Sequence, residues 1–363
     1  MNSKTPHLSL GKIFLRAALL TVGFLFVGII LTLLVMGFFA KRYISAFEAA
    51  GNTSISELKQ IVETGVKLEP KRQSGNTVFL ILGTDSLTLR GDVPPLTDTI
   101  LLVSVNYDSG EINQLSVPRD LWSDAYKTKV NALFSYGPDH TPEKPEQFPA
   151  KAISELVGVP IDYTVVVDMN TIATIVDSLG GVTVNVESSF TDTEFPNSNV
   201  DVTTVTDPKL LYRTISFETG PEQMNGERFL EYIRSRHSES EEGTDDARSR
   251  RQQKALSALM DSTKQRSLLT DPNKLGNLYK LYSNSFSQYL SIEEAVSIGY
   301  KFRNQINSLE INNHSLSILT ESEPGVLTHP NPRYYENQWV YTIVSEENFK
   351  KEVQQKLGIT KHE

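Results

Sequence analysis

The sequence predicts an α/β domain with a mixed central β-sheet between helices, preceded by one N-terminal transmembrane helix. Three observations carry this. Ala17 to Phe39, "AALLTVGFLFVGIILTLLVMGFF", is uncharged and long enough to span a bilayer as a helix. From Thr77 onward, apolar runs of strand length alternate with segments of helical periodicity, the pattern of an α/β fold. A short turn, "NYDSGE", joins two of those runs into a hairpin, so antiparallel neighbours enter the sheet.

The N-terminal run exceeds a secretory h-region, usually about 7–15 residues, so a retained anchor is expected. Lys4, Lys12 and Arg16 precede it, and Lys41 and Arg42 follow it. That bias favours a cytoplasmic N-terminus. The expected organisation is a cytoplasmic segment over 1–16, the span over 17–39, a juxtamembrane stalk over 40–76, an extracytoplasmic domain over 77–355 and a tail over 356–363. The chain would be a single-pass cell-membrane protein. In the stalk, Ile55, Leu58, Ile61, Val62 and Val66 recur at helical spacing, and "EPKRQSGN" ends it.

Each element of the domain follows from its residues. "TVFLIL", "TILLVSV" and "INQLSV" read as the first three strands. "AISELVGV" and "TIATIVDSL" read as helices, with "YTVVV" and "VTVNV" as strands around them. Gly180-Gly181 closes the second helix, where positive φ is useful. Asn185 to Lys209 is polar and rich in Thr, Asp and Asn, and reads as a surface excursion.

Composition narrows the function. The formal charge of -9 argues against a general nucleic-acid surface but leaves room for one local anion site. The chain has no cysteine, which excludes disulfides, thiolate metal sites and cysteine nucleophiles.

Asp85 follows the first strand and Asp98 precedes the second. If these strands are antiparallel neighbours, both carboxylates reach one end of the sheet. The hairpin returns the third strand to that end, and "VPRD" delivers Arg119 there. Two carboxylates without a nearby histidine suit magnesium, which takes oxygen ligands; the alternative is two loop aspartates capping turns.

A second cluster stands in "YIRSRHSESEEGTDDARSRRQQ". A helix starting near Asn225 ends around Arg234 and Arg236, which share a face only on extended chain. The next helix is expected to be capped by Asp245 or Asp246. Arg248, Arg251 and Gln252 follow at i, i+3 and i+4, on one face. Cations in the first turns of a helix oppose its dipole, whereas an arginine-lined N-terminus suits a polyanion. The alternative is a solvated basic face paired to "ESEE".

Eight ordered blocks, "FLILGTDS", "TDTILLVSVN", "LSVPRD", "KVNALFSYG", "IDYTVVVDM", "VDSLGGVTVNV", "MNGERFLEYIRSR" and "DARSRRQQ", resemble the LytR–CpsA–Psr (LCP) proteins. A weaker echo continues in "ENQWVYTIVSEENFKKEV". The resemblance implies an LCP-type fold with an apolar tunnel for a prenyl chain. It implies a membrane-anchored phosphotransferase that moves a glycopolymer from a polyprenyl-pyrophosphate carrier to peptidoglycan through a phosphodiester. It further implies Mg2+ held by Asp85 and Asp98, catalytic roles for these and Arg119, and pyrophosphate contacts from Arg119, Lys129, Arg234, Arg236, Arg248 and Gln252. Arg251 belongs to the same block, with a less defined role. The family usually has arginine two residues before the second aspartate. This chain has Leu96 there, and Arg90 is the candidate substitute. The partners implied are the lipid-linked glycopolymer, the peptidoglycan acceptor and the membrane, not nucleic acid. Two other functions fit the same residues: a prenyl-pyrophosphate phosphatase, and a non-enzymatic envelope or regulatory protein that binds the lipid head group.

Overall fold

The computed structural model describes residues 36–73, 75–84, 95–197, 207–265, 268, 270–305 and 309–359. Among them no helix is long and apolar enough to cross a membrane. Of the expected span Ala17 to Phe39, all but the last four residues lie outside the described set. Those four belong to a helix described over 36–51, here α1, with Phe38 and Phe39 largely exposed.

In chain order there follow α2 (Ile55–Gly65), β1 (Thr77–Thr84), β2 (Thr97–Val105), β3 (Glu111–Ser116), the ribbon β4 (Trp122–Ser123) and β5 (Thr128–Lys129), a 3-10 turn over Val130–Tyr136, α3 (Gly137–His140) and α4 (Gln147–Val157). Next come β6 (Tyr163–Asp168), α5 (Met169–Leu179), β7 (Val182–Val186), β8 (Phe190–Pro196), β9 (Tyr212–Phe217), β10 (Gly220–Met224), α6 (Gly226–Arg234) and α7 (Asp245–Ser262). The chain closes with α8 (Pro272–Ser285), α9 (Ile292–Phe302), β11 (Glu310–Ser315), β12 (Leu327–Thr328), β13 (Thr342–Ile343) and α10 (Glu346–Lys356).

The main sheet has five strands in the order β11-β3-β2-β1-β6. β2 runs antiparallel to both β1 and β3, while β6 and β11 join parallel at the edges. The sheet is therefore mixed, as predicted. Its strands are apolar on both faces because both are covered. Leu80, Leu82, Ile100, Leu102 and Leu115 pack on one side with Ile153 of α4 and Phe349 and Val353 of α10. Leu101, Val103, Val105 and Ile112 pack on the other, against Leu256 and Met260 of α7 and Ile298 and Phe302 of α9. Gln114 is fully buried in β3, and among the described residues neither of its amide atoms has a partner, a cost of about 1–3 kcal/mol.

The expected stalk packs on this body. Ser54 caps α2, and Ile61 is buried on it. At Gly65 a Cβ would lie 2.6 Å from the Glu293 carbonyl, so only glycine allows α2 to cross α9 this closely. Gly180 ends α5 at φ 85°, as the sequence suggested.

One expectation fails. The stretch from Asn185 to Lys209 is not simply a surface excursion, because β8 lies within it and pairs antiparallel with β9. Phe190, Asp192 and Phe195 are buried there. With Phe217, Phe229 and Tyr232 the two phenylalanines form a separate core beneath α6. Two buried aromatics outweigh the polar composition around them. Residues 198–206 of the stretch lie outside the described set.

Candidate active site

Strand register builds the first half of the site. Thr84 pairs with Thr97 at one end of β1 and β2, and Leu101 pairs with Ser116 as β3 returns toward that end. Asp98 is the second residue of β2, and Arg119 follows β3 by three residues. The two meet: Arg119 Nη1 donates to Asp98 Oδ1 at 2.6 Å. Arg119 Nε also reaches Asp120 Oδ2 at 3.4 Å. The other oxygen of Asp120 accepts from Lys129 Nζ at 2.7 Å, so Lys129 joins the rim through Asp120. The C-terminal segment braces this loop. Tyr341 N donates to the Asp120 carbonyl at 3.0 Å, and Trp122 N donates to the Tyr341 carbonyl at 2.8 Å. Asp85 and Arg90 lie outside the described residues.

Side-chain clamps build the second half. Asn225 caps α6 by accepting from the Arg228 N–H, as expected. The helix ends at Arg234, and Ser235 turns extended, φ -55° and ψ 138°. Asp192 of β8 fixes that turn. Its Oδ2 accepts from the Ser235 hydroxyl at 2.7 Å, Arg236 N at 3.0 Å and His237 N at 3.2 Å, while Oδ1 accepts from Glu194 N at 3.0 Å. Burial pushes this carboxyl up, but the four hydrogen bonds outweigh it and hold the group below the usual carboxylate range. With Ser235 drawn inward, Arg234 and Arg236 line a common cavity.

Thr244, not Asp245 or Asp246, caps α7: its side chain accepts from the Ala247 N–H. Threonine offers a short acceptor, and the two aspartates fall into the first turn, where the dipole favours them. Arg248 is only 5% exposed and lines the site. Arg251 does not line it. Its guanidinium donates to the carbonyls of Tyr232, Ser235 and Glu242 and to Glu242 Oε2, and it lies 4.7 Å over the Phe190 ring. The reason is the helical register, which turns Arg251 into the seam between α6 and α7. Burial lowers its pKa against the opposing pull of Glu242. The pairing of a basic side chain with "ESEE" is thus real for this arginine. Arg250 is half-exposed and pairs with Asp246 one turn back.

The two halves share a wall. One cavity, about 50 Å3, is lined by Asp98, Arg119, Asp120, Asp246, Arg248 and Gln252, among others. A second, about 300 Å3, is lined by Asp98, Asp192, Arg234, Arg236, Arg248 and Gln252, among others. Asp98, Arg248 and Gln252 belong to both. Gln252 Nε2 donates to the Ile233 carbonyl at 3.3 Å, which orients it. Six of the sequence-predicted residues therefore surround one place, although Asp98 and Arg119 lie far in sequence from the other four. Four guanidinium groups around one cavity pair suit a phosphate-rich ligand.

Among the described residues no group of three or more His, Cys, Asp or Glu side chains forms a metal cluster. The donor chemistry nevertheless fits a hard cation: Asp98 offers carboxylate oxygen, and magnesium commonly takes only one or two protein carboxylates.

Sequence reasoning missed Asp120, Asp192 and Ser235. Asp120 stood beside Arg119 in "VPRD". For Asp192 the signal was "FTD", where a carboxylate two residues after a core phenylalanine shares its face of a strand.

Fold and site together define a class: a three-layer α/β domain with an arginine-walled cavity pair at the rim of its sheet. Residues 41–356 match the model of the LytR_cpsA_psr family, and the chain belongs to that family. It is 24% identical over 228 residues to the polyisoprenyl-teichoic acid–peptidoglycan teichoic acid transferase TagU of Bacillus licheniformis, covering 61% of this chain and 63% of TagU. It is 30% identical over 190 residues to the Bacillus subtilis transferase of the same description, TagV, covering 50% and 42%. The chain spans about three fifths of the length of the first relatives it matches. The crystal structure of B. subtilis TagV shares the fold, with a TM-score of 0.54, 21% identity, and coverage of 80% of this chain and all of that one.

Proposed function

We propose that this protein is a membrane-anchored phosphotransferase that moves a glycopolymer from a polyprenyl-pyrophosphate carrier to peptidoglycan through a phosphodiester bond. The observation that carries the reading is the shared wall of Asp98, Arg248 and Gln252, with Arg119 on one side and Arg234 and Arg236 on the other. The names of the relatives, teichoic acid transferases acting from a polyisoprenyl carrier to peptidoglycan, support it.

In this reading Arg119, Arg234, Arg236 and Arg248 hold the pyrophosphate by charge-assisted hydrogen bonds. Gln252 adds a neutral donor, and Lys129 sets the rim through Asp120. Phosphoryl transfer depends on positioning and charge neutralisation more than on covalent catalysis, and fixed guanidinium groups stabilise negative charge as it builds on the leaving pyrophosphate. Asp98, with Asp85, would hold Mg2+, which supplies further neutralisation of phosphate charge when bound. Either carboxylate is a candidate for accepting the proton of the attacking sugar hydroxyl. Asp85, the metal, the span Ala17 to Phe39 and its orientation enter as parts of this proposal. An anchor would keep the site near a lipid-borne donor and raise its effective concentration.

The test is product analysis. With lipid-linked polymer and peptidoglycan together, phosphodiester-linked polymer should accumulate in the wall fraction, and EDTA should suppress it. Release of free polymer at the same rate with or without peptidoglycan would mean a phosphatase. Binding without turnover would mean a head-group-binding protein.

A further inference from the structure

The turn after α6 carries a histidine beside its two arginines. His237 lines the larger cavity together with Asp98, Arg234, Arg236 and Arg248. Among the described residues it is the only imidazole lining either cavity of the site. Its Nδ1 lies 3.7 Å from Glu194 Oε2, and Glu194 lines the same cavity. The histidine side chain is 44% exposed, so a ligand in the cavity can reach the ring.

One buried carboxylate sets both members of this pair. Asp192 accepts from His237 N at 3.2 Å through Oδ2 and from Glu194 N at 3.0 Å through Oδ1. The same part of β8 meets the turn in an antiparallel bridge between Asp192 and Ser238. The approach of His237 to Glu194 is therefore imposed by the backbone. It does not depend on the weak attraction of an exposed ion pair. Tyr212 of β9 adds a phenol to the same lining.

We propose that His237 accepts the proton of the attacking hydroxyl, with Glu194 as its positioning residue. This rests on the transferase reading and names the base that it leaves open between two carboxylates. In the step, the acceptor O–H bond breaks as its oxygen bonds to the phosphorus that carries the glycan. The bridging P–O bond of the pyrophosphate breaks, and its electron pair leaves with the polyprenyl phosphate. The proton passes to His237 Nε2 and from the exposed ring to solvent. Three points favour this imidazole over Asp98. Imidazole as a group changes charge near neutral pH, where a general base is most effective. A carboxylate beside Nδ1 favours the tautomer that carries its proton there, which leaves Nε2 as the acceptor. Asp98 already accepts from Arg119 at 2.6 Å and, in this reading, also holds a cation, so its lone pairs are committed.

The test compares turnover with binding in the full chain. The donor is a short polyprenyl-pyrophosphate-linked N-acetylglucosamine, and the acceptor is glycan strands stripped of stem peptides. His237→Gln and His237→Ala should each lower kcat about 100-fold or more, the scale of general base catalysis. Affinity for a short polyprenyl pyrophosphate, read by calorimetry, should change far less, because the lost interaction belongs to the transition state. Added imidazoles should restore part of the rate to His237→Ala, and more of it the more basic the imidazole, a response that a structural role does not give. Glu194→Gln should lower kcat less than His237→Gln does and leave KM for the donor unchanged. Parent-like turnover in His237→Gln, or a loss in His237→Ala that no imidazole restores, would overturn the proposal and leave the transferase reading standing. Donor consumed at the same rate without acceptor would instead remove the transferase reading; imidazole rescue of that hydrolysis in His237→Ala would keep His237 as the base, acting on water. A parent that binds pyrophosphate and turns nothing over would remove both.

Discussion

The two halves of the arginine site are built by different means. Asp98 and Arg119 are placed by hydrogen-bond register in a hairpin, and their 2.6 Å contact follows from which residues stand opposite each other. Arg234, Arg236 and Arg248 are placed by two other side chains, Asp192 and Arg251. Asp192 grips the turn after α6, and Arg251 ties that turn to α7 and to Glu242. The difference separates residues that bind from residues that hold. It also predicts how each half breaks.

The largest effect is expected on chemistry at the register-built rim. Asp98→Ala should lower transfer about 100-fold or more while the fold survives, because it removes a charge set beside the reacting phosphate. A parent-like rate would show that Asp98 only positions Arg119.

The sharpest contrast lies between neighbours on α7. Arg251→Ala leaves Glu242 and two buried carbonyls without their donor and should destabilise the fold by about 3–5 kcal/mol, seen as a fall in Tm. Arg248→Ala should instead weaken prenyl-pyrophosphate binding by about 1.5–3 kcal/mol, the scale of a charged hydrogen bond, with a smaller change in Tm. Lysine at 248 should restore only part of the binding, lacking the guanidinium fork. If the two alanine variants behave alike, the division between binding and holding fails.

Asp192 gives that division a pH signature. Its carboxyl sits below the ordinary range in the folded state, so the ionised form favours folding. Its contribution is full above the unfolded pKa, about 3.9, and disappears as pH falls through the lower folded value. Asp192→Asn should therefore melt below the parent at neutral pH, and the gap should close as the pH falls below about 4. A gap that is constant with pH would mean that the hydrogen bonds, not the charge, carry the effect. The smallest change is expected at Arg250, whose exposed pair with Asp246 is worth about 0.3–0.5 kcal/mol. Arg250→Ala should bind and turn over like the parent.

Much of this was legible along the chain. The mixed sheet could be read from strand-length apolar runs and one short turn, and the meeting of Asp98 with Arg119 followed from hairpin geometry alone. Arg234 and Arg236 were readable as a pair once the chain between them was taken as extended. The arginine block as a whole was visible as cations where a helix dipole opposes them.

What the chain alone determined was therefore local: period, turn chemistry, and residues delivered to a strand end by a register that short loops leave no freedom to change. Tertiary structure decided the rest. Arg248 and Arg251 have the same chemistry three residues apart, and only the packing of α7 on α6 sends one to the cavity and the other into the seam. Asp192 looked like one more polar residue in a polar stretch, and became a buried clamp because Phe190 and Phe195 carry its strand into a core. Burial and partner choice depend on contacts between segments far apart in sequence, and those contacts exist only once the chain has folded.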